Sequence, residues 1–244
     1  MGRLFALILA FGLALAQGPE AELREALLRT FGSGWGAYAS LDQAVYLTPE
    51  GKEAEVLFTW TYADPGACRL RLEVAPSQEA PRAVLVYTPE RQFLRTPEGQ
   101  TLPLDDRLLL ELLFTWQTGP LGVGFPYTRV EREGEVDLPD GGRALAYRVE
   151  RREHRCLPKG VLEASPFVGR IYLQEGRVVG EGYFSPVLGA EALVLYRELR
   201  EVDGVRYPVR LETWALVEGK GVPFARGVNL EFRAGPALGE ELFR

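Results

Sequence analysis

The sequence predicts an α+β fold that is mainly β, and three observations carry that prediction. Alternation with period two runs through most of the chain, tight-turn dipeptides separate the alternating runs, and only two stretches after residue 17 show helical spacing. Strands that alternate apolar with polar residues and are joined by short turns form antiparallel meanders with one face seeking burial.

Residues 1–16 are set apart from this pattern. Arg3 precedes the apolar run Leu4–Leu15, and Ala14-Leu15-Ala16 supplies a small-x-small cleavage site, so Met1–Ala16 reads as an export leader. The run falls short of the roughly 20 residues that a membrane-spanning helix needs. Gln17 follows the site where a lipid-accepting cysteine would stand in a lipoprotein, so the mature chain, 17–244, is expected outside the cytoplasm without a lipid anchor. It is expected as a single continuous domain, because no repeat, low-complexity tract or Ser/Pro linker divides it.

Loss of Arg3 with the leader leaves 27 basic and 34 acidic residues, a net charge of −7. No basic cluster stands out, which removes the electrostatic footprint of nucleic-acid or anionic-membrane binding.

Glu20–Phe31 reads as an amphipathic helix with Leu23, Ala26, Leu27 and Phe31 on one face, ended by the glycine-rich Gly32–Gly36. Period two follows to about Arg95. Val56, Phe58, Trp60 and Tyr62 alternate with Glu55, Leu57, Thr59 and Thr61. After the turn Asp64-Pro65-Gly66, the set Cys68, Leu70, Leu72 and Val74 alternates with Arg69, Arg71 and Glu73. Strands Ala83–Thr88 and Gln92–Arg95 come next.

Asp105–Gln117 is the second helical stretch. Its apolar residues, Leu108 to Leu110, Leu112 to Phe114 and Trp116, spread over roughly 240° of a wheel at ~100° per residue. A helix lying on one sheet needs a narrower stripe. This one either threads the core or roofs a cavity.

Further strands are predicted at 143–150, 168–174, 177–184, 192–200, 205–216 and 227–233, with Glu175-Gly176 and Asp203-Gly204 as hairpin turns. Pro208 demotes its stretch to an edge or a bulge.

No motif carries covalent or acid–base chemistry. His154 is the sole histidine and sits among Arg151, Arg152 and Arg155, which oppose an imidazolium. One histidine and two distant cysteines do not make a tetrahedral metal set. Gly32–Gly36 and Gly122-Val123-Gly124 match no phosphate-binding fingerprint, and Asp105/Asp106 read as residues complementing a helix N-terminus. No catalytic residue, metal or cofactor is expected. Cys68 and Cys156, the only cysteines, either pair as a disulfide in an oxidising compartment or remain separate thiols.

What remains is a surplus of apolar side chains. Leu57 opposes the Phe58/Trp60 set, and Leu193, Leu195 and Leu199 oppose Val194 and Tyr196. Sheets buried on both faces explain this, and so does a curved sheet with a greasy concave side.

The order of leader, N-terminal helix, strand meander, apolar helical insertion and second meander resembles the LolA/LolB superfamily of periplasmic lipoprotein carriers, which also includes RseB-type stress sensors. Ala83–Arg95 (AVLVYTPERQFLR) followed by the Leu104–Trp116 stretch is similar to the family's run from strands into its lid. Val202–Glu212 (VDGVRYPVRLE) and Val228–Phe243 (VNLEFRAGPALGEELF) resemble its closing hairpin and tail. The resemblance implies a single strongly curved, unclosed antiparallel half-barrel with helices across its concave face. It implies a periplasmic, monomeric, non-enzymatic carrier of the acyl chains of a lipoprotein or lipid. The alternative within the family is a sensor module whose partner is an inner- or outer-membrane envelope protein. The resemblance further implies a lid built from Leu109, Leu112, Leu113 and Trp116 and a cavity wall built from Val56, Phe58, Trp60, Leu70, Leu72 and Val86.

Overall fold

The computed structural model describes residues 18–33, 35–104, 127–153, 156–157, 166–186 and 188–244. The leader, the Asp105–Gln117 stretch and His154 lie outside the described residues.

Helix α1 (Pro19–Phe31) starts with proline in its first turn and acidic Glu20 and Glu22 at its positive end, and it ends where the Gly32 N–H bonds to the Leu28 carbonyl at 2.8 Å. Leu23, Ala26, Leu27 and Phe31 form its buried face as expected, joined by Thr30, whose hydroxyl turns back to the Ala26 carbonyl.

Thirteen strands follow: β1 (Tyr38–Leu47), β2 (Glu53–Asp64), β3 (Arg69–Ala75), β4 (Ala83–Tyr87), β5 (Gln92–Arg95), β6 (Thr101–Pro103), β7 (Arg129–Asp137), β8 (Arg143–Arg151), β9 (Phe167–Gln174), β10 (Arg177–Ser185), β11 (Ala190–Val202), β12 (Val205–Val217) and β13 (Lys220–Ala234). All are antiparallel neighbours in one open sheet of order β6-β5-β4-β3-β2-β1-β13-β12-β11-β10-β9-β8-β7. The first and last strands therefore meet in the middle, and two meanders run outward from that seam as arms. The chain passes from one edge strand to the other between β6 and β7. A 3₁₀ turn, Glu240–Phe243, closes the described chain.

Left-handed residue pairs at Glu175-Gly176, Asp203-Gly204 and Glu218-Gly219 make the tight hairpins of the second arm. Pro208 lies within an interior strand. Its missing N–H is tolerated because the β12–β13 ladder begins only at Arg210, and the β11 side is irregular opposite it. Strand β7 (RVEREGEVD) escapes the sequence reading because its charged residues fall on both faces of an exposed edge. Strand β13 begins seven residues before the predicted Gly227.

The sheet is curled. Cys68 enters β3 and Cys156 follows β8, and these strands stand eight places apart in the sheet, roughly 38 Å if it were flat. The five chain steps from Arg151 to Cys156 reach at most about 17 Å. Yet the two cysteines are bonded, with Cα atoms 5.1 Å apart. Only a half-barrel brings the arms together in this way. Tyr87 on β4 also donates a hydrogen bond to the Cys156 carbonyl.

Apolar side chains on both faces have two destinations. The inner face of the second arm packs against α1 through Tyr147, Val149, Phe167, Ile171 and Val178. Its outer face is covered by the tip of the β7–β8 hairpin: Leu138 joins Ala144, Ala146, Tyr172, Leu193 and Leu195. The tip lies so close that a Cβ on Gly221 would sit 2.5 Å from the Pro139 Cβ. The first arm's outer face holds Val84 and Val86 beneath Phe243 of the 3₁₀ turn.

Candidate functional site

Directly paired residues of neighbouring strands share a face, so register carries the assignment across the sheet. Ile171, beneath α1, pairs with Glu181, which leads through Val194, Thr213 and Ala225 to Tyr46. From β1 the inner face continues through Ala44 to Leu57 and through Ser40 to Thr61 and Leu72.

This assignment divides the expected cavity wall. Leu70 and Leu72 lie on the inner face. Val56, Phe58 and Trp60 pair with Val45, Gln43 and Leu41 and lie on the outer face, and Val86 pairs with Arg71 and lies there too. The reason is one of parity: β2 places its bulkier set outside and Leu57, Thr59, Thr61 and Ala63 inside. Outside, Trp60 is stacked beneath Arg82 at 3.7 Å, and Arg82 and Arg71 both donate to the buried Glu73 carboxylate. Leu109, Leu112, Leu113 and Trp116 lie outside the described residues.

The inner face falls into three zones. Over the second arm it is sealed by α1, with Leu23, Phe31, Tyr147 and Phe167 at or below 1% exposure. At the disulfide end, Trp35 bridges this core to Ala63, Leu70, Leu85 and Tyr87 of the first arm. Its indole donates to the Phe31 carbonyl at 3.0 Å, and its ring meets Tyr38 and Phe232 edge-on. Phe232 stacks on Tyr207 at 4.0 Å.

The third zone is the seam, where β12, β13, β1, β2 and β3 present residues that are half-buried. Leu57, Leu72, Val74, Ala44, Tyr46, Leu211 and Ala215 lie here. Tyr46 meets Phe224 edge-on at 5.5 Å. The middle of the zone is polar. Ser40 donates to Asp42 Oδ2 at 2.7 Å, and Asn229 Nδ2 donates to Asp42 Oδ1 at 2.7 Å. Thr59 stands directly across from Asp42 on β2. The other amide atom, Asn229 Oδ1, is buried and accepts no hydrogen bond. Burial pushes the Asp42 carboxyl above its ordinary range against the lowering effect of its two donors, and pushes the Tyr38 hydroxyl well up.

A second polar group sits deeper, under α1. Arg151 is 1% exposed, with its guanidinium 4.7 Å from the Tyr127 ring centroid, and Glu181 and Tyr196 are buried on the same face. Burial drives the Tyr127 hydroxyl up to about 12. Among the described residues, no group of three or more His, Cys, Asp or Glu side chains is placed to hold a metal ion, and no helix is long and apolar enough to cross a membrane.

The whole architecture recurs in solved structures. A LolA superfamily protein from Nitrosomonas europaea superposes with a TM-score of 0.59 at 11% identity, over 94% of this chain and 98% of that one. The chain has the LolA-type fold. A DUF1329 family protein from Desulfovibrio piger shares this LolA-type fold at a TM-score of 0.56 and 11% identity, over 93% of this chain and 98% of its own. So does a domain from Vibrio parahaemolyticus provisionally assigned to outer membrane lipoprotein sorting, with a TM-score of 0.53 and 11% identity, over 91% and 94% of the two chains. No family model and no curated protein matches the sequence.

Neither the division of the wall residues nor the seam's polar centre is legible from hydropathy. Asp42 and Asn229 are 187 residues apart, and each reads alone as a polar strand residue.

Proposed function

We propose that this chain is an exported, non-enzymatic carrier that holds acyl chains of a lipoprotein or lipid against the seam of its half-barrel. The observation that carries the reading is the contrast along one face. The second arm's inner residues are sealed beneath α1, whereas the seam's apolar residues remain half-buried on a curled sheet. Each methylene taken from water there contributes roughly 0.8 kcal/mol, so one or two chains give useful affinity without polar chemistry. The fold shared with a LolA superfamily protein supports the same reading.

Residues 105–126 connect the two edge strands, Leu104 packs on the first arm's inner cluster, and Tyr127 packs on the core beneath α1. We propose Leu109, Leu112, Leu113 and Trp116 as the apolar contacts between that connection and the ligand. The Met1–Ala16 leader supports a periplasmic location.

Native mass spectrometry of freshly purified protein tests the reading directly. Bound lipid, and uptake of a fluorescent acyl probe lost in Leu57→Asp and Leu109→Asp/Leu113→Asp, are the expected results. Protein that carries no lipid and takes up no probe refutes it.

A further inference from the structure

The seam is not uniformly apolar: among its described inner-face residues, the one buried side-chain polar atom that makes no hydrogen bond is Asn229 Oδ1, at its polar centre. Asp42 is held on both oxygens, by Ser40 Oγ and by Asn229 Nδ2, each at 2.7 Å. An ionised carboxylate only accepts, so it requires the amide nitrogen of Asn229 to face it. That orientation turns Asn229 Oδ1 away from Asp42, and it is buried without a donor. An unsatisfied buried acceptor is a cost to the fold. Such a cost persists in a folded protein where a partner arrives later. On the same inner face, at one end of this trio, stand Tyr46, Ala44 and Leu57, and at the other stand Tyr38 and Phe232. A chain lying along the seam would pass the trio part-way along its length.

We propose that Ser40, Asp42 and Asn229 form a polar anchor for a ligand that carries an N–H or O–H donor within an otherwise apolar body, the chemistry of an N-acyl amide or a hydroxylated acyl chain. Asn229 accepts from that donor, Asp42 orients Asn229, and Ser40 orients Asp42. A plain ester or hydrocarbon chain fills the seam but leaves Asn229 Oδ1 bare, so it binds more weakly. This assignment rests on the carrier reading and narrows its ligand.

The test is displacement of a fluorescent acyl probe from the full mature chain by near-isosteric competitors. N-butyldecanamide carries the amide N–H, butyl 3-hydroxydecanoate carries a hydroxyl, and butyl decanoate carries neither donor. The expected result is that at least one donor-bearing competitor binds about tenfold more tightly than the plain ester, the ratio one buried hydrogen bond supplies. Which of the two wins identifies the donor. In Asn229→Leu the preference should fall to about one while the plain ester still binds. Equal affinity of all three for the wild-type chain overturns the anchor and leaves the carrier reading standing, and that comparison needs no variant to fold. A preference that survives in folded Asn229→Leu also overturns it. Failure of every competitor and of the probe itself refutes the carrier reading, and the anchor with it.

Discussion

Arg82 stacks on Trp60 on the outer face, with its guanidinium carbon 3.7 Å from the ring centroid. The same guanidinium donates to Glu73, which is 7% exposed and also receives Arg71 Nε at 2.7 Å. Trp60 thereby belongs to the scaffold and faces away from the seam. Trp60→Ala should lower stability by about 2 kcal/mol, from lost packing and the cation–π contact, and leave acyl-probe uptake unchanged. Leu57→Asp, three positions earlier on the inner face of the same strand, should abolish uptake with little effect on stability. Chemical denaturation and probe titration on both variants check the pair. Loss of uptake in a stable Trp60→Ala protein would return that residue to the ligand wall.

Glu73 predicts an acid-sensitive component of stability. Burial disfavours its charge, but the hydrogen bonds from Arg82 and Arg71 outweigh burial and hold the carboxyl below its ordinary value. A depressed folded value stabilises the protein above the unfolded carboxylate range, near pH 4. That stabilisation disappears as the pH falls through the folded value. Glu73→Gln should therefore be less stable than the wild type at neutral pH, with the gap closing in acid. Thermal midpoints measured from about pH 7 to pH 3 read this out, and a gap independent of pH contradicts it.

Asp42 carries the opposite sign. Burial raises its folded value, so it costs stability once the pH climbs above the unfolded carboxylate range and through the folded value. Asn at this position keeps an acceptor for Ser40 and carries no charge to desolvate. Asp42→Asn should melt higher than the wild type at neutral pH and converge with it in acid. A lower neutral-pH midpoint would show that the ionised carboxylate is worth more than its burial costs.

The Cys68–Cys156 bond closes a loop of 88 residues. Chain entropy sets its contribution at about 4–5 kcal/mol. Reductant, or the double substitution Cys68→Ala/Cys156→Ala, should shift the denaturation midpoint sharply downward. An unchanged midpoint would mean that the packing of Cys156 beside Leu70, Leu85 and Tyr87 holds the two arms unaided.

Much of this architecture is written in local pattern. Alternation and left-handed turn dipeptides mark most of the strands, and the spacing of Leu23, Ala26, Leu27 and Phe31 marks the buried face of α1. What pattern does not mark is which face of a strand turns inward when both faces are covered. On β2 the greasier set, Val56, Phe58 and Trp60, is the outer one, and Leu57, Thr59, Thr61 and Ala63 face inward. Hydrophobicity alone does not tell which set turns inward. The meeting of Asp42 with Asn229, and of Cys68 with Cys156, depends on the first strand pairing with the last and on the curl of the whole sheet. Neither is a local property.

The bridge between the arms also decides where the half-barrel can breathe. It lies at the β2–β3 turn, beside the Trp35, Tyr38 and Phe232 rings, and while it is intact that rim cannot spread. Any widening must occur at the opposite rim, where Tyr46, Phe224 and Leu57 lie and no covalent tie crosses the gap among the described residues. On the proposed carrier reading, a guest would enter and leave by that untied rim.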